Sequence, residues 1–206
     1  MTNHSAEDGL AFLEGGGHVG ALLRQLGWSD SPLGHPRGWP QCLRSIVKLM
    51  LSTPSPMAVY WGAERTYLYN DAMDEFIGRE RHPGSLGRPG AAVWSEIWDE
   101  VISPQLNHVF DGHGALRHSE KLLQMTRNGS VQDTWWNYSQ TPVESPDSPT
   151  GVGGVLILGV EVTAYRAARE VATAERSRLL SMFEGSASFV AMLEGPDHRF
   201  TLANRS

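Results

Sequence analysis

Few residues in this sequence have the types and spacing that chemistry requires. Ser29 with His35, and Asp71 with His82, are the arrangements closest to an acid/base pair, since a hydroxyl or carboxylate beside an imidazole can pass a proton. Neither comes with the strand-turn-helix setting that such chemistry needs, so no catalytic residue is expected. Glu96, Asp99 and Glu100 precede His108 and supply oxygen and nitrogen ligands. Acidic residues at a helix start are better read as a solvated face favoured by the helix dipole, and no metal is expected. The single cysteine, Cys42, excludes an internal disulfide framework and a cysteine-based zinc site, which suits a reducing cytosol. The aromatic residues carry more weight. Tyr60, Trp61, Tyr67, Tyr69, Phe76, Trp94, Trp98, Trp135, Trp136 and Tyr138 crowd one part of the chain, where they would either fill a core or line a pocket for a planar or apolar ligand.

Positioning those rings requires a sheet and its covering helices. The sequence predicts a short helix over 19–26, a turn-rich connection over 28–40, and a stronger helix starting at Pro40, where Leu43, Ile46, Val47, Met50 and Leu51 form one apolar face. From Met57 the pattern changes to a hairpin: a strand over 57–61, a Gly62, Ala63, Glu64 turn, and a strand over 65–69. Asn70 can cap a short helix over 71–77, and a longer helix is expected over 92–111, kinked or divided at Pro104. Strands over 115–125, 130–143 and 151–163 follow, the first two joined by an Asn128, Gly129 turn. Alternation puts Trp136 and Tyr138 on one face and Trp135 on the other. This order predicts an α+β fold, a five-stranded antiparallel sheet with helices on one face.

The run Val155, Leu156, Ile157, Leu158 is apolar on both faces of its strand, so the outer face should be covered by the N-terminal helices or by a second subunit. A helix follows from residue 164. Tyr165, Ala168, Ala172, Glu175, Leu179 and Met182 step along it by alternating three and four, the spacing of a weak two-stranded seam. A second hairpin pattern begins near Phe189, and Arg199, Leu202 and Asn204 repeat the spacing of Arg65, Leu68 and Asn70. Two strands cannot bury a core, so residues 183–206 should be loosely held as the start of a second copy of the domain, with more chain beyond them.

Composition narrows the partners. Seventeen Lys and Arg against 23 Asp and Glu give a net charge of -6 with no basic block, so neither nucleic acid nor an anionic membrane is expected to bind. The longest apolar run, 152–160, contains three glycines and is too short to span a bilayer, and the first 17 residues lack the form of a signal peptide.

Trp28, Ser29, Pro32, Leu33 and Gly34; Trp39 and Pro40; Trp61 and Gly62; Tyr69, Asn70, Asp71 and Ala72; His82, Pro83, Leu86 and Gly87; Trp94, Glu96, Ile97 and Trp98; Arg127, Asn128 and Gly129; and Gly153, Gly154 and Val155 form an ordered set over about residues 18–163. On this set the chain resembles the N-terminal PAS domain of bacterial PAS-containing sensor histidine kinases, hybrid kinases included. The resemblance implies a cytoplasmic sensory and dimerisation module, forming a homodimer, that controls downstream PAS and kinase domains of the same parent chain. It divides the chain into a tail and helical cap (1–56), a PAS domain (57–163), a signalling helix (164–186) and the start of a second PAS domain (187–206). No Gly-rich nucleotide box and no recognisable phospho-accepting histidine occur here, so ATP-dependent phosphotransfer would belong to the parent and not to this segment.

The resemblance also names candidate sites. The pocket would be formed by Trp61, Tyr69, Phe76, Trp94, Trp98, Trp136 and Tyr138. Such domains end in an Asp-Ile-Thr-like triplet that couples the last strand to the output helix; here it reads Glu161, Val162, Thr163, so signal transmission would run through Glu161, Thr163, Tyr165, Ala168, Ala172 and Leu179. Light-sensing relatives that bind flavin use a cysteine after the first hairpin, whereas Cys42 precedes it, so no photoactive cysteine is expected. Haem-binding relatives use an axial histidine on the long helix, which makes His108 a candidate. No cofactor is the leading expectation, with haem or flavin the alternative.

Overall fold

The computed structural model describes residues 8–204, so residues 1–7 of the expected tail and the last two residues lie outside the described residues. The chain forms two compact units, Met1–Val162 and Thr163–Ser206.

In the first unit, α1 (Gly17–Gln25) and α2 (Gln41–Ser52) precede β1 (Met57–Trp61) and β2 (Thr66–Tyr69). Pro40 caps α2 from outside its first turn, and Leu43, Val47, Met50 and Leu51 are the buried stripe the spacing predicts. Next come α3 (Asp71–Ile77), β3 (Arg88–Pro89), α4 (Gly90–Val93), a wide helical turn (Trp98–Ile102) continuing into α5 (Ser103–Phe110), β4 (Leu116–Arg127), β5 (Ser130–Glu144) and β6 (Val152–Glu161). The sheet runs β3-β2-β1-β6-β5-β4, antiparallel throughout. It has six strands and not five, because Arg88 and Pro89 pair with Tyr67 and Thr66; two residues ending in proline leave no strand pattern to read.

The expected single helix over 92–111 is also corrected. The chain makes one turn at α4, loops, and restarts at Trp98, where the amides of Val101 and Ile102 both donate to the Ile97 carbonyl at 3.1 Å. Pro104 supplies no amide to the turn before it, which permits this widening.

One side chain ties the first hairpin together. Asn70 Oδ1 accepts from the Met57 amide (3.0 Å) and, as a cap, from the Met73 amide (3.2 Å), while its Nδ2 donates to the carbonyls of Met50, Thr53 and Ser55 (3.1, 2.9 and 2.8 Å). The end of α2, the start of β1, the end of β2 and the start of α3 therefore meet on a buried amide. A second such tie fixes α1, whose His18 and Val19 amides donate to the Asp71 carboxylate at 2.8 and 2.6 Å. Gly17 is required there, since its φ is +62° and a Cβ would fall 1.9 Å from Asp71 Oδ2.

Ala58, Tyr60 and their β6 partners Ile157 and Val155 share the inner face; Val59, Leu156 and Leu158 point outward. Outward Val59 and Leu68 are fully buried in the core that includes the α2 stripe. The expectation of a covered outer face holds for that half and fails in the single chain farther along, where Leu158 is 43% and Val160 52% exposed. Twelve α2 residues reach β1 and β2 but leave the outer face of β6 bare there.

In the second unit α6 (Thr163–Glu184) has no buried residue and leads to the hairpin β7 (Ala191–Glu194) and β8 (Arg199–Ala203). Thr163 opens α6 and does not end β6, which stops at Glu161, moving the expected boundary between strand and helix back by two residues.

Candidate functional site

Between the inner sheet face and α3, the wide turn and α5 lies a cavity of about 100 Å³. Its walls are mainly Tyr60, Tyr67, Phe76, Trp94, Trp136 and Tyr138, filled in by Met73, Ile97, Leu123, Met125 and Ile157. Phe76 meets Trp136 edge-on with centroids 5.4 Å apart, and Tyr67 meets Trp94 edge-on at 5.9 Å, the offsets aromatic quadrupoles favour. Besides the Tyr60 and Tyr67 hydroxyls and the unpartnered Trp94 Nε1, the wall carries a pair of glutamines. Gln105 Oε1 accepts from the Tyr138 hydroxyl and from Gln140 Nε2, both at 2.9 Å, and Gln140 Oε1, fully buried, has no hydrogen-bond partner.

Among the described residues no charged side chain lines this space. Burial raises the Tyr60 and Tyr67 phenols well above their ordinary range; for Tyr60 a nearby Trp94 N–H offsets part of it, although the two fall short of hydrogen-bond geometry. Tyr138 is raised by burial as well, with the Gln105 contact opposing. The walls therefore stay neutral at any physiological pH, and an ionic guest would lose its hydration without gaining a partner.

The cavity wall connects to the end of the domain. Trp136 Nε1 donates to Thr134 Oγ1 at 2.9 Å, the Arg127 guanidinium lies 5.7 Å from the Trp136 ring centroid, and Arg127 pairs with Glu161 at 2.8 Å. The Val162 amide donates to the Trp135 carbonyl at 2.7 Å, so the last sheet bond falls immediately before α6. On the opposite wall, Arg81 lies over Trp94, pairs with Glu96 and donates to the Thr126 carbonyl.

Of the seven aromatic pocket residues named from the sequence, Phe76, Trp94, Trp136 and Tyr138 line the cavity. The other three do not. Trp61 points to the outer face and lies against β6, so closely that a Cβ at Gly154 would fall 2.3 Å from its ring. Tyr69 is in the core beside Tyr67, its hydroxyl 2.8 Å from His82 Nδ1, and Trp98 packs against Tyr60 at 6.3 Å. Tyr60, Tyr67, Gln105 and Gln140 are among the wall residues not named as a site; for Tyr67, the face it shares with Tyr69 two residues on was the available signal.

His108 is exposed, with its ring 5.1 Å from that of His113, and lines no part of the cavity. At about 100 Å³ the cavity is smaller than the engineered cavity of about 150 Å³ that holds one benzene. Cys42 is half-buried on α2, against the core on the far side of the sheet. Among the described residues no three His, Cys, Asp or Glu side chains gather as metal ligands. Asp71 and His82 do not pair: Asp71 holds the α1 amides, and His82 Nδ1 sits between the Tyr69 hydroxyl and Asp74 Oδ1, the latter 3.2 Å away. His35 Nδ1 accepts from the Arg37 amide at 3.3 Å, capping a short turn. The six α6 seam residues are all exposed, Tyr165 at 66% and Leu179 at 57%. No helix among the described residues is long and apolar enough to cross a membrane.

The sheet has β2 and β1 on one side of β6 and β5 and β4 on the other, with helices over the inner face, an α+β arrangement. No protein-family model matches the sequence, and no curated protein matches it. Solved structures similar to the chain include the PAS domain of a protein from Colwellia psychrerythraea (13% identity, 59% of this chain and 98% of that one, TM-score 0.43). An RNA-binding light-oxygen-voltage receptor is similar over 68% of this chain and 40% of that one (15% identity, TM-score 0.44), and a fungal LOV-domain photoreceptor over 76% and 99% (12%, 0.38).

Proposed function

We propose that this chain is a sensory and dimerisation module of a bacterial signal-transduction protein, in its parent a sensor histidine kinase, and that the module itself catalyses nothing. It acts as a cytoplasmic homodimer, residues 187–206 begin a second PAS domain, and changes in the first domain reach the output through α6. The observation that carries this reading is the junction: Trp136 forms a cavity wall, Arg127 bridges it to Glu161, and α6 starts two residues later. Strain in the sheet would thus reach the helix without crossing a loop. Leu122, Leu158 and Val160 leave exposed apolar surface on the outer face, which a second subunit would cover.

Sedimentation velocity of residues 1–206 and of a form ending at Thr163 tests this. A dimer in both assigns the contact to the sheet and makes the α6 seam a follower; a monomer in both ends the dimer reading.

A small-ligand sensor is the second reading, favoured by the cavity and the unpartnered Gln140 Oε1 on its wall. With room for about one ring, the ligand would be neutral and small. Thermal shift of the first unit with phenol, benzene and benzoate checks it. Stabilisation by phenol above benzene, with none from benzoate, is the expected order; no stabilisation by any of the three would return the cavity to a packing defect.

A further inference from the structure

The two hairpins repeat one another at the level of single hydrogen bonds. In the first, Gly62 (φ +74°) and Arg65 (φ +50°) frame a turn closed by the Arg65 amide donating to the Gly62 carbonyl at 3.1 Å. In the second, Gly195 (φ +75°) and His198 (φ +52°) frame a turn closed by His198 on Gly195 at 3.2 Å. Asn70 exchanges bonds with Met57, its amide to the Met57 carbonyl at 3.2 Å and its Oδ1 to the Met57 amide at 3.0 Å. Asn204 does the same with Val190, at 3.0 and 2.7 Å. Each asparagine then sends Nδ2 back to the carbonyls two and four residues before its partner, Ser55 and Thr53 before Met57 in the first, Ser188 and Ser186 before Val190 in the second. The correspondence corrects the sequence alignment by one residue. His198, not Arg199, stands where Arg65 does, and β8 carries one residue more than β2 at the register shift opposite Met192 and Leu193.

Carried backward along the chain, the same register reaches a helix in both cases. Thr53 follows α2, and its counterpart Ser186 follows α6. Val47 and Met50, fully buried under the first hairpin's outer face with Val59 and Leu68, then correspond to Leu180 and Phe183 of α6, with Met192 and Leu202 in the hairpin. All four α6 and hairpin positions are apolar, though Leu180 is 40%, Met192 58% and Leu202 37% exposed.

Resting on the proposal that residues 187–206 begin a second PAS domain, we propose that α6 belongs to two domains at once. Its first turns leave the first domain as the exit helix. Its last turns are the covering helix of the second, with Leu180 and Phe183 forming the surface on which Met192, Leu202 and the sheet they begin are seated. A covering helix that is also an exit helix is not a spacer: rotation or displacement at Thr163 moves a piece of the second domain's core. In this arrangement the two domains communicate by packing and need no contact between their sheets.

Hydrogen exchange of the hairpin amides, with the amides of the first unit as the check on folding, tests the idea in the full chain. Leu180→Asp with Phe183→Asp should speed exchange across 190–204 by about tenfold or more. Phe183→Ala should do so by less, and Val171→Asp, at an exposed site mid-helix, not at all. Unchanged exchange in the double variant, or an equal effect from Val171→Asp, overturns the shared helix. Asn204→Ala separates this from the underlying reading. If Asn204→Ala leaves the Val190 amide unaffected, the duplicated tie is not real and both ideas fall; if it speeds exchange while the double variant does not, only the shared helix falls.

Discussion

The β1–β2 and β7–β8 hairpins share a turn, a tie and a preceding helix, yet every residue of β1 and β2 is buried and almost every residue of β7 and β8 is exposed. The comparison separates what local chemistry can do from what a core does. An asparagine with its side chain turned back onto two carbonyls and one amide sets hairpin geometry by itself. Stability comes from what closes over it: β6 on one side, β3 on the other, α2 outside and α3 and α5 inside. Two strands and one helix bury too little apolar area to offset the entropy of ordering them.

The largest expected effect breaks the first hairpin's tie. Asn70→Ala leaves the Met57 amide and the Thr53 and Ser55 carbonyls without that partner and removes the α3 cap, which should lower the first unit's stability by about 3 kcal/mol in urea titration. Asn204→Ala should leave that transition unchanged. A loss under about 1 kcal/mol from Asn70→Ala would show that the tie follows the fold and does not hold it.

Next is the pair at the exit. Both side chains of the Arg127 and Glu161 pair are mostly buried, so Glu161→Gln should cost on the order of 2 kcal/mol in the same titration, and Glu161→Asp somewhat less. The i, i+4 pair of Arg166 and Glu170 on α6 offers the contrast, since Glu170 is exposed; Glu170→Gln should cost under about 0.5 kcal/mol. Equal effects at the two sites would remove the special standing of the junction.

A third expectation concerns alkali. The Tyr60, Tyr67, Tyr69 and Tyr138 phenols are all raised by burial, so the folded state favours their protonated form. Their contribution is fully present below about pH 10, the ordinary phenol value, and is lost as pH rises above it. Absorbance near 295 nm, followed with circular dichroism, should show these four ionising together with unfolding. Ionisation in the folded state would mean that water reaches the cavity walls.

The difference between the hairpins also explains what the sequence could reveal. Alternation and turn residues placed β1, β2 and α3 to within a residue, because each is specified locally by apolar period, Gly62 and the Asn70 cap. The two-residue β3 was not legible because it rests on tertiary pairing of Arg88 and Pro89 with β2, and the break between α4 and α5 was not because it turns on which local carbonyl, here that of Ile97, the next amides choose. Of the seven residues named for a pocket, Phe76, Trp94, Trp136 and Tyr138 line the cavity. Trp61 was misplaced because ring type alone does not say which side of a strand a residue faces, whereas Tyr69 does face inward, opposite Ala58, but reaches His82 instead of the cavity. The repeat was visible as Arg, Leu and Asn, but only the hydrogen bonds put its frame at His198.

The most direct test of the comparison uses two amides in matched bonds: Met57 donates to Asn70 Oδ1 at 3.0 Å, and Val190 donates to Asn204 Oδ1 at 2.7 Å. Measured by hydrogen exchange in the 206-residue chain, the Met57 amide should exchange only with global unfolding of the first unit, and the Val190 amide at least about a thousandfold faster. Equal protection of the two would contradict the account, because the second hairpin would then be stable without the remainder of a domain.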